Sequence, residues 1–157
     1  MELKEYTEKA LLTAEPRAFD LKYLLPGIAG EVGEIFAEFA KEHWHGTDRS
    51  AGKVDELGDV AWLTAVLIHS LQADTSMDRR RPAPLNSSHE ALEALLWHAS
   101  TLLGSPRDVL PIRALRMWDL LEVAAPAITG KPLQESLETN IEKLAERAEN
   151  NSLRSHT

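Results

Sequence analysis

Along nearly the whole chain apolar residues recur three and four positions apart, while Pro16, Gly46, Pro82, Pro84, Gly104 and Gly130 fall between these periodic stretches. Such spacing stacks apolar side chains on one face of an α-helix, and β-branched runs long enough for strands are missing. The pattern predicts helices over residues 2–14, 26–43, 51–72, 88–103, 106–128 and 132–149. Six helices of this kind make one all-α bundle, a single domain over 1–150 followed by a disordered tail at 151–157. Local chemistry supports several boundaries. Ser87 has Glu90 three residues on, Ser105 precedes Pro106 with Asp108 beyond it, and Gly46, Gly104 and Gly130 follow helix ends. The stretch from Ala73 to Ser88 is polar, with Arg79-Arg80-Arg81 ahead of Pro82 and Pro84, and reads as an exposed connection.

Composition narrows the function classes. A chain of 157 residues that is 43% hydrophobic and 27% charged has enough apolar material for a core. Its lack of cysteine excludes disulfides, thiolate metal sites and a cysteine nucleophile. A net charge of -8 disfavours a phosphate backbone as partner, so no nucleic acid is expected. Neither an apolar signal core nor a membrane-spanning run is present, so a cytoplasmic protein with no membrane partner is expected.

The candidate chemistry lies in acids placed beside or within apolar faces. On the second predicted helix Ile28, Val32, Ile35, Phe36 and Phe39 form the core stripe, and Glu31, Glu34 and Glu38 share one flank of it. On the third, Glu56 projects between Leu63 and Leu67, and Asp59 lies next to it on the helix surface. Like charges about 5 Å apart repel by roughly 3 kcal/mol at an effective dielectric of 20, so a cation is required. Ordinary salt bridges to Lys41, Lys53 or bundle arginines are one source. Two acidic pairs on consecutive apolar helices favour a metal site formed by Glu31, Glu34, Glu56 and Asp59. An all-oxygen donor set suits Mg²⁺, with Mn²⁺ as the alternative.

On the last helix Leu133, Leu137, Ile141 and Leu144 form the buried stripe. Asn140, Lys143 and Arg147 line one flank of it, a donor strip suited to phosphate oxygens. Trp62 and Phe39 are candidates for stacking on a base. His45, beside Gly46, is read as a helix-end residue. A di-iron carboxylate bundle is disfavoured, because only Glu42 with His45 has the Glu-x-x-His spacing such a site needs on two helices.

These segments, Gly30-Glu31-Val32-Gly33-Glu34, Trp44-His45-Gly46, Asp55-Glu56-Leu57-Gly58-Asp59-Val60-Ala61-Trp62 and Asn140 to Arg147, resemble the MazG-like all-α nucleoside triphosphate pyrophosphohydrolases. The resemblance spans about residues 3–71 and 128–147. It implies that the four acids hold Mg²⁺ and that Asn140, Lys143 and Arg147 approach the triphosphate. Hydrolysis then falls between the α and β phosphates, giving a monophosphate and pyrophosphate, with Glu34 or Glu31 as general base. A homodimer is expected, with a tetramer as the alternative. The chain departs from the family pattern at Gly30, where many relatives carry an acid, and at Ala148-Glu149, where many carry tyrosine and proline. Residues 72–127 look like a two-helix insertion, read as added core or dimer surface in preference to a lid. A different reading of the whole chain is a catalytically silent helical module for nucleotide binding or protein interaction.

Overall fold

The computed structural model describes residues 1–155, with side chains as far as Asn151. Six α-helices follow in order: α1 (Leu3–Leu11), α2 (Leu21–His45), α3 (Ser50–Ser70), α4 (Ser88–Leu103), α5 (Leu110–Thr129) and α6 (Leu133–Ser155). Short 3₁₀ turns at Pro16–Phe19 and Arg107–Val109 precede α2 and α5, and there is no strand among the described residues. The sixth helix runs past residue 150 to Ser155, so most of the expected tail is helical in backbone, and residues 156 and 157 lie outside the described residues.

Two helix starts differ from the periodicity, each for a local reason. α2 begins five residues before Pro26, the position at which a proline would ordinarily open a helix. Asp20 is the reason: its carboxylate accepts a hydrogen bond from the Lys22 amide at 2.9 Å and caps the new N-terminus. Pro26 then sits on an exposed side of the helix. α5 begins at Leu110, with Pro111 in its first turn, where a missing N–H costs little. Ser105 is not its cap. The Ser105 hydroxyl instead donates to the Thr101 carbonyl and accepts from Arg113, both at 2.6 Å.

Other punctuation follows the sequence. The Ser87 side chain accepts from the Glu90 amide at 3.2 Å, and Glu90 reaches back to the Asn86 amide at 2.9 Å. Gly46 and Gly130 take up left-handed conformations at φ 65° and 73°, closing α2 and α5. α3 ends differently, with Gln72 at φ 52° and the Ala73 amide bonded back to the Ile68 carbonyl at 3.1 Å. That is a Schellman closure made without glycine, and it stops the helix at Ser70.

α3 is the central element, apolar nearly all round, and it packs against α1, α2, α5 and α6. Leu57, Val60, Ala61, Ala65, Val66 and Leu67 are each fully buried on it. The segment read as an insertion contributes α4 and α5, and these complete the core. Ala114, Leu115, Met117, Leu121, Ala124 and Ala125 of α5 are fully buried, mostly against α3 and α4. The preceding connection is pinned to α5 by Arg79, whose guanidinium meets the Asp119 carboxylate through two bonds of 2.6 and 3.1 Å.

Candidate metal centre and cleft

Two helices bring the acids together. α2 and α3 run side by side after the turn at Gly46, and a clamp at that end fixes their register. Arg49 grips the buried Glu38 carboxylate at 2.7 and 3.1 Å, and Lys53 meets Glu42 at 2.8 Å. Glu38 is therefore structural, although its place on the helical wheel grouped it with Glu31 and Glu34. Phe39 is covered by the Lys53 ammonium, 4.0 Å above its ring, and is not on the cleft wall. Among the described residues Lys41 pairs with Glu38, at 3.9 Å, and Lys53 with Glu42, so both lysines are taken up by acids outside the Glu31, Glu56 and Asp59 group.

About two turns nearer the N-terminus of α2, Glu31 faces Glu56 and Asp59 of α3. One carboxylate oxygen from each of the three lies within 4.8 Å of the others, and all three residues are half-buried. Glu34 is not in this group; it is exposed one turn along α2, where its charge still acts on Glu31. The electrostatic consequence is large. Burial, a hydrogen bond donated to Glu31 and the negative charge of Asp59 push the Glu56 carboxyl up to about 8. Glu31 is raised as well, by burial and by Asp59, while the bond from Glu56 works against the rise. Three adjacent carboxylates make it costly for Glu31 and Glu56 to be ionised together when no cation is near.

From α6 comes the only positive charge in contact with this group among the described residues. The Lys143 ammonium donates to Asp55 at 2.8 Å and to Asp59 at 2.6 Å. Burial works against that charge, but its two acidic partners more than compensate and hold its pKa above the usual lysine value. Asn140, 2% exposed, donates its amide to Asp59 at 3.3 Å, and its carbonyl accepts from the Tyr6 hydroxyl at 2.6 Å. The buried line of α6 therefore includes Ser136 and Asn140 together with Leu133 and Leu137, whereas Ile141 and Leu144 are only half-buried.

This close fit depends on Gly58. A Cβ there would come within 2.8 Å of the Ser136 carbonyl oxygen and 3.0 Å of the Asn140 Cβ. Glycine lets α6 approach α3 closely enough for Asn140 and Lys143 to reach Asp59.

A cleft of about 620 Å³ opens beside the acids. Its walls include Glu31, Asp59 and Trp62 on one side, Asn140 and Arg147 from α6, and Thr13 and Arg17 from the α1–α2 connection. The exposed Arg147 guanidinium thus shares a cleft with two acids of the cluster. The Trp62 indole N–H is buried without a hydrogen-bond partner. Comparison with protein-family models, curated proteins and solved structures gives no match. The site stands on its own geometry.

Four contributors were not singled out from the sequence. Asp55 holds Lys143, Tyr6 holds Asn140, and Thr13 and Arg17 form a cleft wall. Asp55 had a visible signal, since it adjoins Glu56 in an acidic run, but its partner comes from a helix 88 positions away. No sequence period reports the other three, because they belong to a terminal helix and an irregular connection.

Proposed function

We propose that the protein is a Mg²⁺-dependent nucleoside triphosphate pyrophosphohydrolase that cleaves between the α and β phosphates, releasing a monophosphate and pyrophosphate. One observation carries the reading. Oxygens of Glu31, Glu56 and Asp59 converge within 4.8 Å beside a cleft that Asn140 and Arg147 also line. The donor set fits a hard divalent cation: it is all oxygen, it stands on two packed helices, and its crowded carboxylates disfavour full ionisation unless a cation offsets them. Bound there, Mg²⁺, or Mn²⁺ in its place, supplies Lewis-acid neutralisation of the phosphate charge.

The chain's own groups account for the rest of the proposed chemistry. Glu34, exposed one turn from Glu31, supplies a further carboxylate that either completes the ligand set or takes the proton of the attacking water. Glu31 is the alternative base. Arg147 offers a planar pair of donors to the outer phosphates, and the Asn140 amide, which carries two N–H groups, donates to Asp59 and lines the cleft. Lys143 pairs with Asp55 and Asp59, one helical turn from Arg147, and so offsets part of the acid charge beside the cleft, leaving Arg147 as a cationic group on its wall. Trp62 provides an apolar surface for a base or sugar. The same reading implies a homodimer, or a tetramer, acting on a cytoplasmic nucleotide pool; no helix among the described residues is long and apolar enough to cross a membrane.

Pyrophosphate release from a panel of ribo- and deoxynucleoside triphosphates with Mg²⁺, using Glu56→Gln as control, tests the proposal. Monophosphate and pyrophosphate in equal amounts are expected, with turnover falling at least about a hundredfold in the variant. Metal-dependent stabilisation with no turnover on any nucleotide would favour a silent nucleotide-binding module instead.

A further inference from the structure

We infer that Tyr6, far from the acids in sequence, is a positioning residue for the metal centre and acts by fixing the amide orientation of Asn140. An asparagine amide can turn end for end, and packing alone hardly distinguishes its oxygen from its nitrogen. Here the two ends must be told apart. The amide nitrogen has to face Asp59, since an oxygen turned toward that carboxylate would add a repulsive contact to an already crowded acidic group.

Tyr6 supplies the discrimination. Its side chain is fully buried, its ring lies 5.7 Å from that of Trp118, and its hydroxyl donates to the Asn140 oxygen at 2.6 Å. With the oxygen held there, the nitrogen is left to Asp59 and the cleft. Burial and the nearby Asp59 charge both disfavour loss of the phenolic proton, so the hydroxyl stays a donor. The hydrogen bonds therefore run in one direction, from Tyr6 to Asn140 to Asp59, and link α1 through α6 to an acid of α3. Outer partners of this kind set the direction and basicity of the groups that hold a metal.

The inference rests on the metal-site reading above, and its test separates the two. Mn²⁺, which prefers similar ligands and is visible by electron paramagnetic resonance, is titrated into the wild type, Tyr6→Phe, Asn140→Ala and the double variant. Tyr6→Phe keeps the ring and its packing. The expected result is a loss of Mn²⁺ affinity of about tenfold in Tyr6→Phe. Because Tyr6 acts only through Asn140, the double variant should bind no more weakly than Asn140→Ala alone. Circular dichroism and thermal melts confirm that each variant is folded at the titration temperature.

Wild-type affinity in a folded Tyr6→Phe would overturn the role of Tyr6 and leave the metal site standing. Additive losses in the double variant would overturn it too, since they would show Tyr6 acting by another route. If Tyr6→Phe does not fold, Asn140→Asp in the wild-type background is read instead: it presents oxygen at both ends, and unaltered Mn²⁺ affinity there would show that amide orientation does not matter. No Mn²⁺ binding by the wild type would overturn the metal site and this role together.

Discussion

Glu56 shows how a single side chain links stability to ligand binding. Its carboxyl rises from the ordinary glutamate value of 4.5 to about 8 in the folded chain. Between those values the folded state holds more protons than the unfolded one, so stability falls as pH rises through this window. Glu31, raised for related reasons, adds to the same slope. The melting temperature of the metal-free protein should accordingly drop between about pH 5 and pH 8, and saturating Mg²⁺ should flatten the profile by offsetting the charge. Glu56→Gln, which carries no charge at any pH, should melt higher than wild type at pH 8 in chelator and gain little from Mg²⁺. A variant equally destabilised at both pH values would show that the repulsion is not stored there. The candidate acids are legible from the sequence because residues three apart on a helix are neighbours, whatever the helix later packs against. Glu38 was not separable from them by that means. Its carboxylate is taken by Arg49 across the α2–α3 turn, a pairing that no helical wheel contains.

Helix contacts depend on where each glycine faces. Gly58 lies under α6, so Gly58→Ala forces the two helices apart against a backbone oxygen at 2.8 Å. Chemical denaturation should show a loss of about 1–3 kcal/mol, typical of overpacking. Metal affinity should fall with it, because Asn140 and Lys143 retreat from Asp59. Gly30, also within a helix, has nothing within 4 Å of the position a Cβ would take. Gly30→Ala should therefore stabilise the chain by roughly 0.5–1 kcal/mol, the ordinary helical preference for alanine. Equal effects at the two positions would mean that α6 shifts without cost. The sequence places both glycines on helices, but their opposite roles come from whether another backbone lies above them. Helix starts show the same division: Ser87 with Glu90 marks one from local chemistry alone, while Pro26 points to the wrong residue because the Asp20 cap, six residues earlier, carries the helix through it.

Across the whole molecule, the two helices of residues 72–127, read from the sequence as added core or dimer surface, contribute buried residues to the core. α5 lies against α3 and α4, with Leu115, Met117 and Leu121 buried completely. Replacing residues 72–127 by a short linker should expose a large apolar face of α3. Loss of cooperative melting and of the helical dichroism signal is expected; a truncated chain that still melts sharply would show that α1, α2, α3 and α6 suffice. Periodicity, capping residues and the two acidic pairs were enough to establish an all-α bundle and to mark Glu31, Glu56 and Asp59, because those signals arise within a turn or two of one helix. Local pattern does not reach further. That Glu34 stays outside the three-acid group is an outcome of packing α2 against α3, and that Lys143 rests on Asp55 and Asp59 and Tyr6 holds Asn140 are outcomes of packing α1 and α6 against it. Contacts between residues more than eighty positions apart depend on interhelical distance and rotation, and these are set only when all the buried faces are satisfied together.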